Sequence, residues 1–120
     1  MPMLDPLIRA VADAVDGVVT TARSQRNFRI QLLIAVVVVG LGAWLHFDAL
    51  RWAVIALTIG LVLVAELANT ALERAVDCAS PEQSEAARAA KHAGAGAVLV
   101  AAVLSVGVGI ALFGPWAWPR

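Results

Sequence analysis

Charge is scarce in this chain. Only 15% of its 120 residues are Asp, Glu, Lys or Arg, and the formal net charge is zero. Without a basic excess, nothing points to a nucleic-acid partner. Cysteine is nearly absent as well: Cys78 stands alone, which excludes an intrachain disulfide and a cysteine-built metal site. It reads as a small apolar filler. No G-x-x-x-x-G-K-[ST] phosphate loop occurs, nor the glycine-rich loop of protein kinases, so any phosphate chemistry must be held by other groups. The N-terminus lacks a basic stretch followed by a compact apolar core, and a cleaved signal peptide is not expected. What the chain has instead is apolar surface. It is 61% hydrophobic with a mean hydropathy of +0.82, where a soluble domain would be about 45–50% apolar. The composition is that of an integral membrane protein with little soluble mass.

Periodicity divides the chain into four helical segments, and the fold class expected is all-α: one surface helix and three membrane spans in a single domain, 1–120. Over 4–24, Leu4, Leu7, Ile8, Val11, Val15, Val18 and Val19 recur at helical spacing, with Asp5, Arg9, Asp13 and Asp16 between them. The segment is too interrupted to cross a bilayer and reads as an amphipathic helix, lying on the membrane or packing on its own protein. A first span is expected over 28–46 and a second over 50–78, the latter extending past the bilayer because no Pro or Gly interrupts residues 61–80. Ser80-Pro81-Glu82-Gln83 reads as a stop and restart, with Ser80 as cap and Pro81 in the first turn of a helix over 82–113. Gly114-Pro115 is expected to end it. Gly94, Gly96, Gly107 and Gly109 in this last span permit close helix approach.

Topology follows from the basic residues. Arg23, Arg26 and Arg29 flank the start of the first span, and Arg74, Arg88 and Lys91 flank the turn between the second and third. Both regions belong on the cytoplasmic side, which places the N-terminus inside. Trp44, Trp52, Trp116 and Trp118 all fall at the opposite end, as an interfacial aromatic belt would.

Against this background the stretch Glu66-Leu-Ala-Asn69-Thr-Ala-Leu-Glu73-Arg-Ala-Val-Asp77 stands out. An acid inside a membrane helix is costly, roughly 2.5–3.5 kcal/mol at the centre and less near an interface. Here Glu66, Asn69, Glu73 and Asp77 stand at offsets of 3, 7 and 11, which share one helix face. The stripe runs about 16 Å along the axis, from the cytoplasmic interface at Asp77 into the bilayer at Glu66. One end can meet a soluble charged molecule and the other a lipid headgroup. Phosphoryl transfer from a nucleotide uses such a set: carboxylates hold Mg²⁺ with phosphates and waters, and a further carboxylate accepts the proton of the attacking hydroxyl. Lys91, at the start of the third span on the same side, supplies a cation for phosphate, and Arg26 and Arg29 can do the same or bind anionic headgroups.

The block Glu66-x-x-Asn69-Thr-Ala-x-Glu73-x-x-Val-Asp77, the following Ala90-Lys91 and the Ala/Gly-rich Ala93 to Val100 resemble the prokaryotic diacylglycerol kinase family, which includes the undecaprenol kinases of Gram-positive bacteria. Arg26-Asn27-Phe28-Arg29-Ile30 resembles that family's stretch before its first span. The likeness covers nearly the whole chain in the same order. It implies an ATP-dependent lipid kinase of the bacterial inner membrane, a homotrimer of three-span protomers with active sites between protomers. By position, Glu66 would be the general base beside the lipid hydroxyl and Glu73 a Mg²⁺ ligand. Asn69, Lys91 and Arg29 would meet phosphates, and Asp77 would lie near the nucleotide. Two positions depart from the family pattern. Gln25 stands where the family commonly has a metal-binding Glu, so only a weaker amide ligand is offered. His92 stands where Asp commonly follows the Lys, and an imidazole there can hydrogen-bond a nucleotide without supplying the negative charge.

Two other functions fit parts of the pattern. An intramembrane Glu in a small multispan protein also suits a proton- or cation-coupled transporter, although that role does not call for Asn69, Glu73, Asp77 and Lys91 at one face. The departures at Gln25 and His92 would suit a kinase homologue turned structural or lipid-binding partner.

Overall fold

A computed structural model describes residues 2–117. Four helices follow one another: α1 (Leu4–Ser24), α2 (Arg26–Trp44), α3 (Ala49–Ala79) and α4 (Glu85–Ala117). The last three are long and apolar enough to cross a membrane. Their outward faces carry exposed Leu33, Val36, Leu57, Val64, Leu99, Val103 and Ile110, a surface suited to hydrocarbon and not to water. The chain is a multi-pass membrane protein.

The first helix carries Asp5 in its first turn and Arg23 in its last, each complementing the helix dipole. Its apolar stripe, from Leu4 to Val19, stays exposed. Only its C-terminal end is tied down. The chain turns extended at Gln25, and Arg29 Nη1 donates to the carbonyl oxygens of Ala22 (3.0 Å) and Arg23 (2.8 Å), which the end of α1 leaves without partners. Arg74 of α3 adds a hydrogen bond to Ser24 Oγ at 2.8 Å. Beside this corner Phe28 and Thr21 are buried.

At the other end α2 closes in a Schellman turn. The Phe47 N–H donates to Gly42 O (3.0 Å) and the His46 N–H to Ala43 O (3.2 Å). His46 occupies the left-handed position of that turn, φ 54°, where Gly is usual. Asp48 then caps α3, its Oδ1 accepting from the Arg51 N–H at 2.9 Å. Phe47 folds back into an aromatic corner with Trp52 and Phe113. Gly42 makes room for it: a Cβ there would stand 3.0 Å from Trp52 Cη2 and 3.3 Å from Phe47 Cδ2. Trp44 and Trp116 are exposed, as membrane anchors would be, whereas Trp52 is turned into this corner and half buried. Trp118, the fourth of the expected belt, lies outside the described residues.

Helix α4 begins later than its sequence suggests. Ser84, not Ser80, is the cap: its Oγ accepts from the Ala87 N–H at 3.1 Å. Ser80 still belongs to the end of α3. Its N–H bonds to Val76 O at 2.8 Å and its hydroxyl donates to Glu82 O at 2.9 Å, and Pro81 follows as proline commonly follows a C-cap. Nor does Gly114-Pro115 stop the helix, which continues to Ala117 with Pro115 inside. Proline costs one backbone hydrogen bond there, a smaller loss in a last turn than in mid-helix.

Packing centres on α3. Both α4 and α2 pack against it, and among the described residues the backbones of α2 and α4 do not approach each other closely. On α4, Ala87, Gly94 and Ala101 are buried at seven-residue spacing. This small-residue seam lets the backbones of α3 and α4 approach closely. Residues of α2, α3 and α4 together line a cleft.

Candidate functional site

The cleft has a volume of about 820 Å³ and is walled by α2, α3 and α4. Its acids and amides gather at one end, where Asn27 and Gln31 of α2 face Glu66, Asn69 and Glu73 of α3. The rest of the wall is mostly Ile, Val, Leu and Ala. Helical spacing alone puts Glu66, Asn69 and Glu73 on one face of α3. The pairing of that face with α2 is a tertiary matter.

Glu66 is 5% exposed. Gln31 Nε2 donates to its Oε1 at 2.8 Å, so the buried carboxylate has a partner on α2, while its second oxygen makes no side-chain hydrogen bond. The other end of the amide, Gln31 Oε1, is buried without a hydrogen bond. One turn along α3, Asn69 Nδ2 donates to Glu73 Oε1 at 3.3 Å. Asn69 Oδ1 is buried and unpaired too, and it lies against Gly94 of α4, where a Cβ would collide with it. Gly94 therefore lets Asn69 take the position from which it reaches Glu73.

The remaining candidates stand apart from the cleft. Lys91 forms an ion pair with Asp77 that joins α4 to the end of the stripe on α3. His92 is exposed beside it. Arg29 is turned onto the α1 carbonyls, and Gln25 is half buried at the break between α1 and α2. Within one chain, then, the fold brings together Glu66, Asn69 and Glu73, joins Asp77 to Lys91, and leaves Gln25, Arg29 and His92 outside the cleft. Gln31 and Asn27 are the groups that sequence reasoning passed over. Their signal was present: two amides four residues apart, the second set among Ile30 and Leu32 at the start of a span.

The spans and the cleft define a polytopic helical membrane protein that keeps acids and amides at one end of a lipid-sized apolar groove. The pattern of the prokaryotic diacylglycerol kinase family matches residues 12–113, and the chain belongs to that family. It is 37% identical over 112 residues to the undecaprenol kinase of Bacillus subtilis strain 168, covering 93% of this chain and 91% of that protein. It is 45% identical over 100 residues to the diacylglycerol kinase of Synechocystis sp. strain PCC 6803, spanning 82% of this chain and 57% of that longer protein. The diacylglycerol kinase of Escherichia coli strain K12 is 28% identical over 100 residues. The protein is thus a membrane-embedded lipid kinase with a nucleotide co-substrate, and the transporter reading is not favoured.

Proposed function

We propose that Glu66 is the general base of phosphoryl transfer to a lipid hydroxyl, and that the stripe from Asn69 to Asp77 serves the nucleotide. The supporting observation is the setting of Glu66: a buried carboxylate at the junction of an apolar groove and a polar mouth, with one oxygen held by Gln31 and the other unengaged. The lipid enters from the bilayer along the groove and places its hydroxyl at Glu66. The hydroxyl oxygen attacks the γ-phosphorus of ATP, the bond from that phosphorus to the β–γ bridging oxygen breaks, and the hydroxyl proton passes to Glu66. Nucleoside diphosphate leaves toward the cytoplasm.

The donor set at the mouth fits Mg²⁺, which commonly takes one or two carboxylates together with substrate phosphates and water. Glu73 would be its main protein ligand and Gln25 a weak one. When bound, the ion would neutralise charge on the phosphates. Asn69 holds Glu73 in place through its amide. Lys91, released from Asp77, and Arg29 would meet phosphate oxygens, with Asp77 and His92 flanking the nucleotide.

The assembly is a homotrimer in a bacterial inner membrane, its N-terminus cytoplasmic. The separation of Lys91, His92, Arg29 and Gln25 from the cleft of their own chain favours sites completed between protomers. All the described basic side chains except Arg9 and Arg51 lie at the end of the bundle where α2 starts and α3 gives way to α4, which favours that end as cytoplasmic.

Replacing Glu66 by Ala tests the central role. Transfer of labelled phosphate from ATP to lipid in mixed micelles should fall about 10²–10⁴-fold, the range for loss of a general base, with the helical content and oligomer unchanged. Activity within a few-fold of the unaltered protein would remove Glu66 from this role.

A further inference from the structure

A glutamate side chain turns about several bonds, and as a base it is useful only in the rotamers that bring an oxygen to the hydroxyl. We propose that Gln31 is the positioning residue of this site: its amide N–H holds one oxygen of Glu66 and so fixes the other in place to receive the hydroxyl proton. The inference rests on the role of Glu66 proposed above and adds the group that makes that role effective.

The sequence of α2 brings the amide to this place. Gln31 lies one turn beyond Asn27, and both line the cleft. Phe28, on the turn before Gln31, is fully buried, which limits how α2 can rotate against the bundle. Gln31 Nε2 then donates to Glu66 Oε1 at 2.8 Å. Both partners stand on long helices, α2 and α3, and a contact built on such elements is held more precisely than one between loops. Glu66 is itself buried, so packing restrains the carboxylate from the α3 side while Gln31 restrains it from α2.

An amide suits the task chemically. Its N–H donates without giving up the proton, so Glu66 is oriented and keeps its capacity to accept one. A Lys or Arg in the same place would pair with the carboxylate as an ion and compete for the oxygen that the hydroxyl needs. The reverse orientation, with the amide oxygen turned to Glu66, would set acceptor against acceptor, so the amide has one favourable setting. As the proton arrives on the other oxygen, Oε1 becomes the carbonyl oxygen of the acid and still accepts from Gln31, and the contact persists through the transfer. Joining two helices is not a sufficient reason for the pair. Hydrogen bonds between membrane helices contribute little to their association. An acid within a span is costly, and an apolar pair would join α2 to α3 without that cost.

The test compares three substitutions. Gln31→Met keeps length and volume without the donor, Gln31→Asn keeps the amide but withdraws it by one methylene, and Gln31→His offers a ring N–H to the same oxygen. Each is assayed alone and combined with Glu66→Ala, with labelled ATP and either diacylglycerol or undecaprenol in mixed micelles, whichever the unaltered protein uses faster. Returning a glutamate side chain to its full rotamer freedom should cost Gln31→Met and Gln31→Asn about 10–30-fold in kcat. The KM for ATP and for lipid should change far less, and Gln31→His should recover most of the loss. Joined to Glu66→Ala, which leaves no carboxylate to hold, Gln31→Met should cost nothing further. An unchanged kcat in the folded Met and Asn variants overturns the proposal. So does a loss of the same size in the Glu66→Ala background, which marks a structural role independent of Glu66, and so does a His variant as slow as Met. Full activity of Glu66→Ala alone overturns instead the role of Glu66. Should Gln31→Met not fold, Gln31→Asn, which leaves a polar group in place, decides by the same comparisons.

Discussion

Gly94 is the residue whose replacement tests the geometry of the site most directly. It does not touch a substrate in any role proposed here; it makes space for Asn69. A Cβ at position 94 would collide with Asn69 Oδ1 and stand 2.8 Å from Leu72 Cδ2. Leu72 can rotate. Asn69 has less freedom, because its other end donates to Glu73 at 3.3 Å, so Gly94→Ala must either break that hydrogen bond or push α4 away from α3. A hydrogen bond to a charged group contributes about 1.5–3 kcal/mol, and forcing a methyl into a packed seam costs about 1–3 kcal/mol. Alanine recovers about 1 kcal/mol as the better helix former. The net expectation is a destabilisation of about 1–3 kcal/mol relative to a glycine replaced in open space, where the alanine gain is the same. Gly96 supplies that control on the same helix, because a Cβ there meets nothing within 4 Å. Thermal unfolding in detergent should give a lower midpoint for Gly94→Ala than for Gly96→Ala. In kinase assays Gly94→Ala should raise the Mg²⁺ and ATP concentrations needed for half-maximal rate more than it alters the KM for lipid, if Asn69 and Glu73 serve the nucleotide as proposed. If the two variants match in unfolding and in nucleotide dependence, the contact of Gly94 with Asn69 does not organise the site.

Other outcomes follow from the same arrangement. Glu73→Ala should shift the Mg²⁺ titration of the kinase rate to higher concentration, and an unchanged titration would reject Glu73 as a ligand. Co-expression of Glu66→Ala with Lys91→Ala protomers should regain activity that neither has alone, because mixed trimers contain sites with both residues intact if each site draws on two protomers; an inactive mixture would place both residues in a site within one chain. His46→Gly should raise the unfolding midpoint, by up to about 1 kcal/mol of stability, because the left-handed position of the Schellman turn no longer carries a Cβ; a lower midpoint would show that the imidazole contributes more than its backbone strain costs.

How far the sequence carries depends on whether a feature is local. The three spans and the amphipathic α1 are legible because hydropathy and the 3.6-residue period are properties of consecutive residues. The alignment of Glu66, Asn69 and Glu73 on one face is legible for the same reason. The restart of α4 is a local feature that sequence pattern misassigns, since Ser80 and Ser84 are both competent caps. The choice falls on Ser84 because the Ser80 N–H completes the last turn of α3 and its hydroxyl is engaged by Glu82. Trp52 likewise has the composition of a membrane anchor, and only the space left by Gly42 shows that it packs inward.

By itself, then, the sequence determined an all-helical membrane protein with three spans and a ladder of acids and amides on one helix face. Those are consequences of spacing along a single chain. Tertiary structure alone decided that Gln31, 35 residues from Glu66 in the chain, would hold its carboxylate, that Asn69 would lie in the space left by Gly94, and that Lys91 would turn to Asp77 while Arg29 capped α1. Each of these depends on how far apart two helices lie and how each is rotated about its axis. The small-residue seam of Ala87, Gly94 and Ala101 sets that separation for α3 and α4, and helical periodicity carries no record of the partner a face will meet.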